Sequence, residues 1–417
     1  MKSAREGINP VIKKIIGLCL AICLALPLGG CWSRKELNEL TIVLAAGVDR
    51  APGGNILLTV QIARPKSFSG GTKKSSGFQE NNIWVISQTG ETVMDAARYL
   101  ETKVSRKLYW SHAVILVFGE QLAAQGLRQA INFFSRSPEF RETTWVFVAR
   151  GKASDVINSH SQLESTSAQS VGNMARSGAG FPVKLKDLSM MLASYGTNPV
   201  LPRIELTPSG NPQGPGMQEN IPEADGDNQK ATQTHAEVTV TGTGVFKDDK
   251  LAGWLNLMET RGLLWLRNKM EQGEITINSL KDPGKHISVR VTGAKTKVEP
   301  FYDGNNVWFD VKIKMEGDLL EQQSSEKLTE SKNYREIEQR VAKEIEQKTR
   351  NALDKAQHTY GVDIFSFGQA FHRKYKKDWP AMRNRWNEIF SEAGVSIQVE
   401  AKISKTGLTT NRLSIKK

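Results

Sequence analysis

Hydrophobic and polar positions follow one another along this chain in two rhythms, near two residues and near 3.6, and these mark out strands and helices. Leu40–Val48 (LTIVLAAGV) and Ile56–Ile62 (ILLTVQI) are apolar runs separated by Asp49–Asn55 (DRAPGGN), whose Pro and Gly residues predict the turn of a β-hairpin. Arg64–Asn82 is polar, with several Gly, Ser and Lys, and reads as a surface loop. Thr92–Val104 has helical spacing in Val93, Ala96, Ala97, Leu100 and Val104. His112–Phe118 (HAVILVF) predicts a buried strand, Gly119–Ser135 one helix with Leu122, Leu127, Ile131 and Phe134 on one side, and Thr144–Ala149 (TWVFVA) another buried strand. Apolar strands alternating with amphipathic helices point to an α/β sheet of mixed direction.

The pattern breaks at Thr207–Thr234, where eight residues are Pro or Gly and almost none suits a core. The stretch reads as a linker at a domain boundary, with a segment that folds on a partner as the alternative. Strands resume in His235–Phe246, and Asp248-Asp249 turn into Leu251–Leu255. Ile287, Val289 and Val291 line one face of a strand. Asp303–Asn306 turns into Val307, Phe309, Val311, Ile313 and Met315, which alternate with Trp308, Asp310, Lys312 and Lys314 as in a half-buried antiparallel strand. Ser331–Thr359 predicts a long helix whose narrow stripe of Ile337, Val341, Ile345 and Ala352 runs among solvated Glu and Lys. Phe365, Phe367, Phe371, Trp379, Trp386, Ile389 and Phe390 supply aromatic packing on two short helices. Ser396–Ile403 closes as a strand with Ile397, Val399, Ala401 and Ile403 inward. The expected fold class is α+β and multi-domain, with mixed β-sheets packed with helices and a long helix in the C-terminal domain.

The first thirty residues set the compartment. Lys2, Arg5, Lys13 and Lys14 precede the apolar run Ile15–Leu28, the layout of a secretory signal, and the run is shorter than the roughly 20 residues of a membrane-spanning helix. Leu28-Gly29-Gly30-Cys31 reads as a bacterial lipobox: Leu28, Gly29 and Gly30 suit a signal peptidase, and the Cys31 thiol takes a diacylglyceryl group, with or without an added N-acyl group. Trp32, Arg34 and Lys35 follow directly. They either lie against the bilayer as membrane-proximal contacts or begin the first folded element.

Composition then narrows the classes. With 56 Lys and Arg against 44 Asp and Glu, a net charge of +12, and 39% hydrophobic residues in 417, neither a polytopic membrane protein nor a disordered chain fits. Loss of residues 1–30 removes four bases and Glu6, leaving 52 bases against 43 acids, a net charge of +9. In an exported protein that excess suits anionic lipid head groups or wall polymers rather than nucleic acid. The three cysteines, Cys19, Cys23 and Cys31, leave no disulfide framework, CxxC pair or thiolate zinc site downstream. His112, His160, His235, His286, His358 and His372 have no paired metal spacing, and no GxSxG elbow is present. Gly242-Thr243-Gly244 lacks a third glycine, Gly70–Ser75 has the wrong spacing for a phosphate loop, and Asp248, Asp249 and Asp303 sit where turns favour Asp. No catalytic residue, cofactor or metal site is nominated.

Cys31–Val48 (CWSRKELNELTIVLAAGV) resembles the mature N-terminus of the C subunits of spore germinant receptors, the Ger(x)C lipoprotein family. Further stretches resemble it in order: Val117–Leu127 with Trp145–Ala149; Gly244–Met270, carrying GVFKDDKLAGWL and ETRGLLWLRNKM; and Asp363–Leu408, carrying DIFSFGQAFHRKYKKDW, RWNEIF and KTGL. The resemblance implies a signal peptide over 1–30, an N-terminal α/β domain over 31–206, the linker 207–234, a C-terminal α+β domain over 235–408 and a basic tail over 409–417. It also implies a non-enzymatic lipoprotein on the outer face of the spore's inner membrane, working with a polytopic A subunit and a permease-like B subunit. The alternative is an extracytoplasmic solute-binding lipoprotein that captures a small nutrient. A third class, an exported wall-active enzyme, lacks an acid and base pair. A deep pocket with convergent polar groups would favour the binder, and shallow clefts with broad surface patches the assembly subunit.

Overall fold

The computed structural model of the chain describes residues 10–12, 14–17, 39–64, 83–159, 164–178, 180–208, 236–282, 284–324 and 331–405. The expected hairpin is present: β1 (Leu40–Arg50) and β2 (Ile56–Ala63) pair antiparallel, and β3 (Ile83–Gly90) adds to β2. Helix α1 (Val93–Lys103) starts on Thr92, whose side chain accepts the Asp95 N–H. On its other side β1 pairs parallel with the short β4 (Lys107–Tyr109) and with β5 (Ile115–Phe118). Beyond β5 come β6 (Trp145–Ala149) and β7 (Val200–Pro208), both parallel, then β8 (Ala236–Lys247) and β9 (Lys250–Leu255), both antiparallel. The mixed sheet direction read from the sequence is thus found.

This sheet is covered on both sides, which is why its central strands read as unbroken apolar runs. Alternate strand residues such as Val48, Leu58, Leu116, Phe118 and Val146 pack with α1, α2 (Glu120–Gln125), α3 (Arg128–Arg136) and α6 (Leu185–Leu192). Their neighbours Ala45, Ile115, Val117, Phe147 and Ile204 pack with α4 (Ala153–Asn158) and α5 (Ser167–Arg176). The single helix expected over Gly119–Ser135 is two helices. Gly126 stands at φ +127°, outside the helical region, and Asp249 of the β8–β9 turn enters the break. Its carbonyl accepts the Leu127 N–H at 2.9 Å and its carboxylate the Arg128 N–H at 3.0 Å. That partner lies more than a hundred residues away, so no local pattern announces the break.

The second sheet has the order β10 (Gly273–Asn278), β11 (His286–Tyr302), β12 (Val307–Gln322), β13 (Gly394–Lys405), with β13 parallel to β12 and the rest antiparallel. Val307, Phe309, Val311, Ile313 and Met315 are buried, as their alternation predicts. They pack toward α8 (Ser331–Asp354), whose Ile337, Val341, Ile345 and Ala352 are fully buried. Helix α8 runs on into one π-helical turn, Lys355–Tyr360. The aromatic segment forms three short helices rather than two, α9 (Phe367–Lys374), α10 (Trp379–Met382) and α11 (Trp386–Glu392), because Pro380 restarts the chain between the outer pair. The fold class is α+β and multi-domain, with mixed sheets packed with helices and the long helix α8 in the C-terminal half.

Residues 209–234 of the expected linker lie outside the described residues, and Thr207 and Pro208 are the end of β7. On either side of that stretch β7 and β8 are hydrogen-bonded neighbours, from Val200 opposite Val245 to Pro208 opposite Ala236. The first sheet therefore takes its last two strands from the far side of the composition break.

Helix α7 (Leu257–Leu266) joins the two sheets, and it was not legible as an amphipathic element because Gly262, Leu263, Leu264, Trp265 and Leu266 are all buried. It crosses α8 at Gly262, where a Cβ would lie 2.1 Å from the Lys348 carbonyl oxygen and 2.8 Å from Ala352 Cβ. The π-helical turn serves the same seam. Lys355 reaches both Glu259 carboxylate oxygens at 3.0 Å. The Tyr360 hydroxyl accepts the Trp254 N–H at 2.9 Å and donates to the Trp254 carbonyl at 2.8 Å, so one side chain satisfies a backbone pair on the last strand of the first sheet.

Two outcomes follow from this packing. Gly262→Ala is expected to cost about 1–3 kcal/mol, since the obstacle is backbone and cannot rotate away, and denaturant unfolding measures it. Tyr360→Phe keeps the ring but strands the Trp254 groups. A loss near 1 kcal/mol in the same assay is expected, and an unchanged midpoint would show that water replaces the hydroxyl without cost.

Candidate functional site

Open sheets with parallel strands hold ligands in the crevice at their carboxyl ends. In this chain β1, β5 and β6 end close together while β7 runs on past Ala149 to Pro208, and the chain's own groups occupy the place. Asp49, at the end of β1, accepts the Ala153 N–H at 2.7 Å on one carboxylate oxygen and the Ser154 N–H at 2.8 Å on the other, so it takes the donors that open α4. Burial pushes the Asp49 pKa up, and these two backbone bonds act against that rise. The next loops close on each other: the Glu120 N–H donates to the Gly151 carbonyl at 2.8 Å, and the Gly151 N–H to Glu120 Oε2 at 2.9 Å. Arg203 lies 3.8 Å from Glu205 and donates to Thr241 Oγ1 at 2.7 Å. An anion arriving here would find its donors taken.

A dense polar cluster lies instead at the seam between the two sheets. Asp363 is fully buried. One carboxylate oxygen accepts the Phe365 N–H at 2.8 Å, and the other accepts the Gly368 N–H at 2.7 Å and the Trp386 indole N–H at 2.9 Å. Burial pushes its pKa up, and these donors pull it back. Its backbone carbonyl accepts the Asn198 N–H at 2.6 Å. The Asn198 amide donates to Asn387 Oδ1 at 2.7 Å and accepts the Asp248 N–H at 3.2 Å. Arg267, just past α7, donates to Thr197 Oγ1 at 3.1 Å, to the Ile364 carbonyl at 3.3 Å and to Ser366 Oγ, with its guanidinium 5.6 Å from the Phe181 ring. Burial lowers the Arg267 pKa, while the Asp363 and Asp187 charges oppose that, and the group stays protonated. Gly196 and Gly368 meet back to back, and a Cβ on Gly196 would lie 2.7 Å from the Gln369 nitrogen. The bonds of this cluster run between the two halves of the chain, which suits holding two bodies in one orientation.

An open cleft of about 530 Å³ lies at the start of β1, lined by Glu39, Glu101, Val104, Ser105, Arg106 and Lys107. Ligand pockets of that size are mostly apolar with a few placed polar groups. Here Val104 is the single apolar lining residue.

Leu28, Gly29, Gly30, Cys31, Trp32, Arg34 and Lys35 all lie outside the described residues, as do His160, His235 and Gly70–Ser75. His358 Nδ1 is 2.7 Å from Asp354, and the His372 ring stacks on Trp379 at 5.2 Å. Asp303 accepts the Asn305 and Asn306 N–H groups, which hold its pKa below the usual carboxylate range, so it is a turn residue. Gly242-Thr243-Gly244 is part of β8, where the Thr243 hydroxyl meets that of Thr260 at 2.9 Å. Among the described residues no group of three or more His, Cys, Asp or Glu could hold a metal ion, and no helix is long and apolar enough to cross a membrane. The seam cluster was not anticipated from sequence. Its members are single polar residues scattered from Thr197 to Asn387, and the one signal was a lone acid, Asp363, inside the apolar run Val362–Phe367.

Residues 33–206 match the family described as spore germination protein N-terminal domain, and residues 241–407 the one described as spore germination B3/GerAC like, C-terminal. Spore germination protein KC of Bacillus subtilis (strain 168) is 28% identical over 410 residues, which cover 96% of this chain and 98% of that protein. Spore germination protein B3 of the same organism is 24% identical over 397 residues, 94% of this chain and 96% of that one. A crystal structure of the GerBC protein shares the fold, with a TM-score of 0.54 at 21% identity over 86% of this chain and 96% of that chain. The resemblance first drawn from Cys31–Val48 and the stretches downstream is borne out along nearly the whole length, and the chain belongs to the B3/GerAC-like family of spore germination proteins.

Proposed function

We propose that this protein is the lipid-anchored C subunit of a nutrient germinant receptor, required for spore germination and acting with membrane A and B subunits on the outer face of the spore's inner membrane. The observation that carries the reading is the match of both family halves, in order, over 33–206 and 241–407. Its role is assembly rather than catalysis. That part of the reading draws support from the carboxyl ends of the parallel strands, where Asp49 and the Glu120–Gly151 exchange take up the groups a small ligand would need. The open cleft at Glu39 and Arg106 has a charged, shallow lining, which favours an assembly subunit over a solute-binding lipoprotein. The protein carries no cofactor in this reading beyond the diacylglyceryl group on Cys31.

Two experiments test it. Cys31→Ala is expected to abolish labelling by a metabolic lipid precursor and to release the chain from spore membranes, because two acyl chains at about 0.8 kcal/mol per buried methylene hold the native protein there. Labelling that persists in the variant would place the lipid elsewhere. Thermal unfolding of the chain with amino acids, sugars or nucleosides is expected to show no shift. A ligand that binds only the folded state adds about 2.7 kcal/mol at a hundredfold excess over Kd. A saturable rise in Tm, removed by Arg106→Glu, would make the protein a solute binder.

A further inference from the structure

The tip of the β11–β12 hairpin and the turn after α9 form one continuous surface. Phe301 and Trp308 stack with centroids 5.7 Å apart and planes 9° from parallel, and Trp308 is 38% exposed. Lys374 Nζ lies 4.3 Å from the Phe301 centroid and donates to the Pro300 carbonyl at 2.8 Å, while the Tyr375 hydroxyl accepts the Tyr302 N–H at 3.2 Å. These contacts fix Lys374 beside the aromatic pair, and its chain neighbours Arg373, Lys376 and Lys377 are, like it, exposed. Of the acids nearby, Glu299 lies 3.1 Å from Lys297 and 3.7 Å from Lys374, and Asp303 holds its own turn, while the exposed Asp378 directly follows Lys377 and leaves the cations in excess. Among the described residues, Arg373, Lys376 and Lys377 form no ion pair. Bases at the end of a helix also offset its dipole, which accounts for Arg373 and Lys374 in the last turn of α9 but not for Lys376 and Lys377 beyond it.

We propose that this end of the second sheet rests on anionic lipid head groups, with the edges of Phe301 and Trp308 at head-group depth and the four cations on the phosphates. Aromatic rings flanked by cations are what an interfacial surface uses. The inference rests on the lipid-anchored reading above, since the Cys31 lipid would keep a bilayer within reach of this face.

After loss of residues 1–30, Cys31 is the one cysteine of the chain, so single cysteines can be placed at will. Asn305→Cys at the hairpin tip carries an environment-sensitive fluorophore, read by quenching from nitroxide lipids labelled at the head group. Met190→Cys, at a position 69% exposed on α6, is the reference. On vesicles of phosphatidylcholine and phosphatidylglycerol in equal parts, quenching at position 305 is expected to exceed that at 190 by about fivefold or more. It should fall to the reference level on phosphatidylcholine alone and when Arg373, Lys376 and Lys377 are changed together to Glu. Equal quenching at both positions on anionic vesicles, or quenching at 305 that survives the charge reversal, would overturn the proposal. So would quenching that arises only when other receptor subunits are reconstituted alongside, which would assign the face to a protein. Flotation with neutral vesicles reports the anchor separately. A chain that fails to float refutes anchoring at Cys31, and quenching on anionic vesicles still decides this face.

Discussion

A carboxylate shut away from water organises the seam of this molecule. Taking an ionised carboxylate out of water costs several kcal/mol unless hydrogen bonds meet its oxygens, and Asp363 draws them from Phe365, Gly368 and the Trp386 indole. To present three donors to one side chain, the chain must turn sharply after residue 363, start α9 where it does and bring α11 alongside. The backbone of Asp363 then faces the first sheet and takes the Asn198 N–H. Arg267, close enough to feel the Asp363 charge, ties Thr197 to Ile364 from a third direction. A single buried acid thus sets the path of the aromatic helices and the docking of both sheets, and the Phe309, Phe367 and Trp386 rings pack around the result.

The same economy governs the first sheet. A doubly covered sheet with parallel strands normally leaves a crevice, and here Asp49 caps α4 while Glu120 and Gly151 bond across it. Among the described residues, the charged cleft beside β1 and the aromatic and basic end of the second sheet stay open to solvent.

Much of this architecture was written locally. The β1–β2 hairpin, α1 with its Thr92 cap, the alternation from Val307 to Met315 and the stripe of Ile337, Val341, Ile345 and Ala352 all follow from periods and turn residues that depend only on near neighbours. Elements were lost where tertiary structure replaces the period. Helix α7 shows no single apolar stripe because the whole run Gly262–Leu266 is buried, although Asn256 and Glu259 form a capping box that marks its start. Strand β10 alternates Ile275 and Ile277 with exposed Glu274 and Thr276, a signal present but short. The break at Gly126 depends on Asp249, and the seam on residues nearly two hundred positions apart, such as Asn198 and Asn387. The reading of Leu28–Cys31 as a lipobox is the reverse case, since it rests on four adjacent residues and needs no fold.

Because Pro208 and Ala236 face each other across a strand pair, the chain leaves the first sheet and re-enters it at one point. Closing a loop whose ends are already neighbours costs little more when the loop grows, by about 0.6 kcal/mol per doubling, so length can drift there without disturbing the sheet. A chain cut at residue 206 would meet a different fate. It would strip the partner from β7 along its whole length and bare Val200, Leu201 and Ile204, an open edge of the sort that recruits other chains into aggregates. The division visible in the sequence and the unit that can stand alone are therefore not the same. A stable N-terminal piece has to run past Leu255, carrying β8 and β9 with it, while foreign segments are best inserted between Pro208 and Ala236.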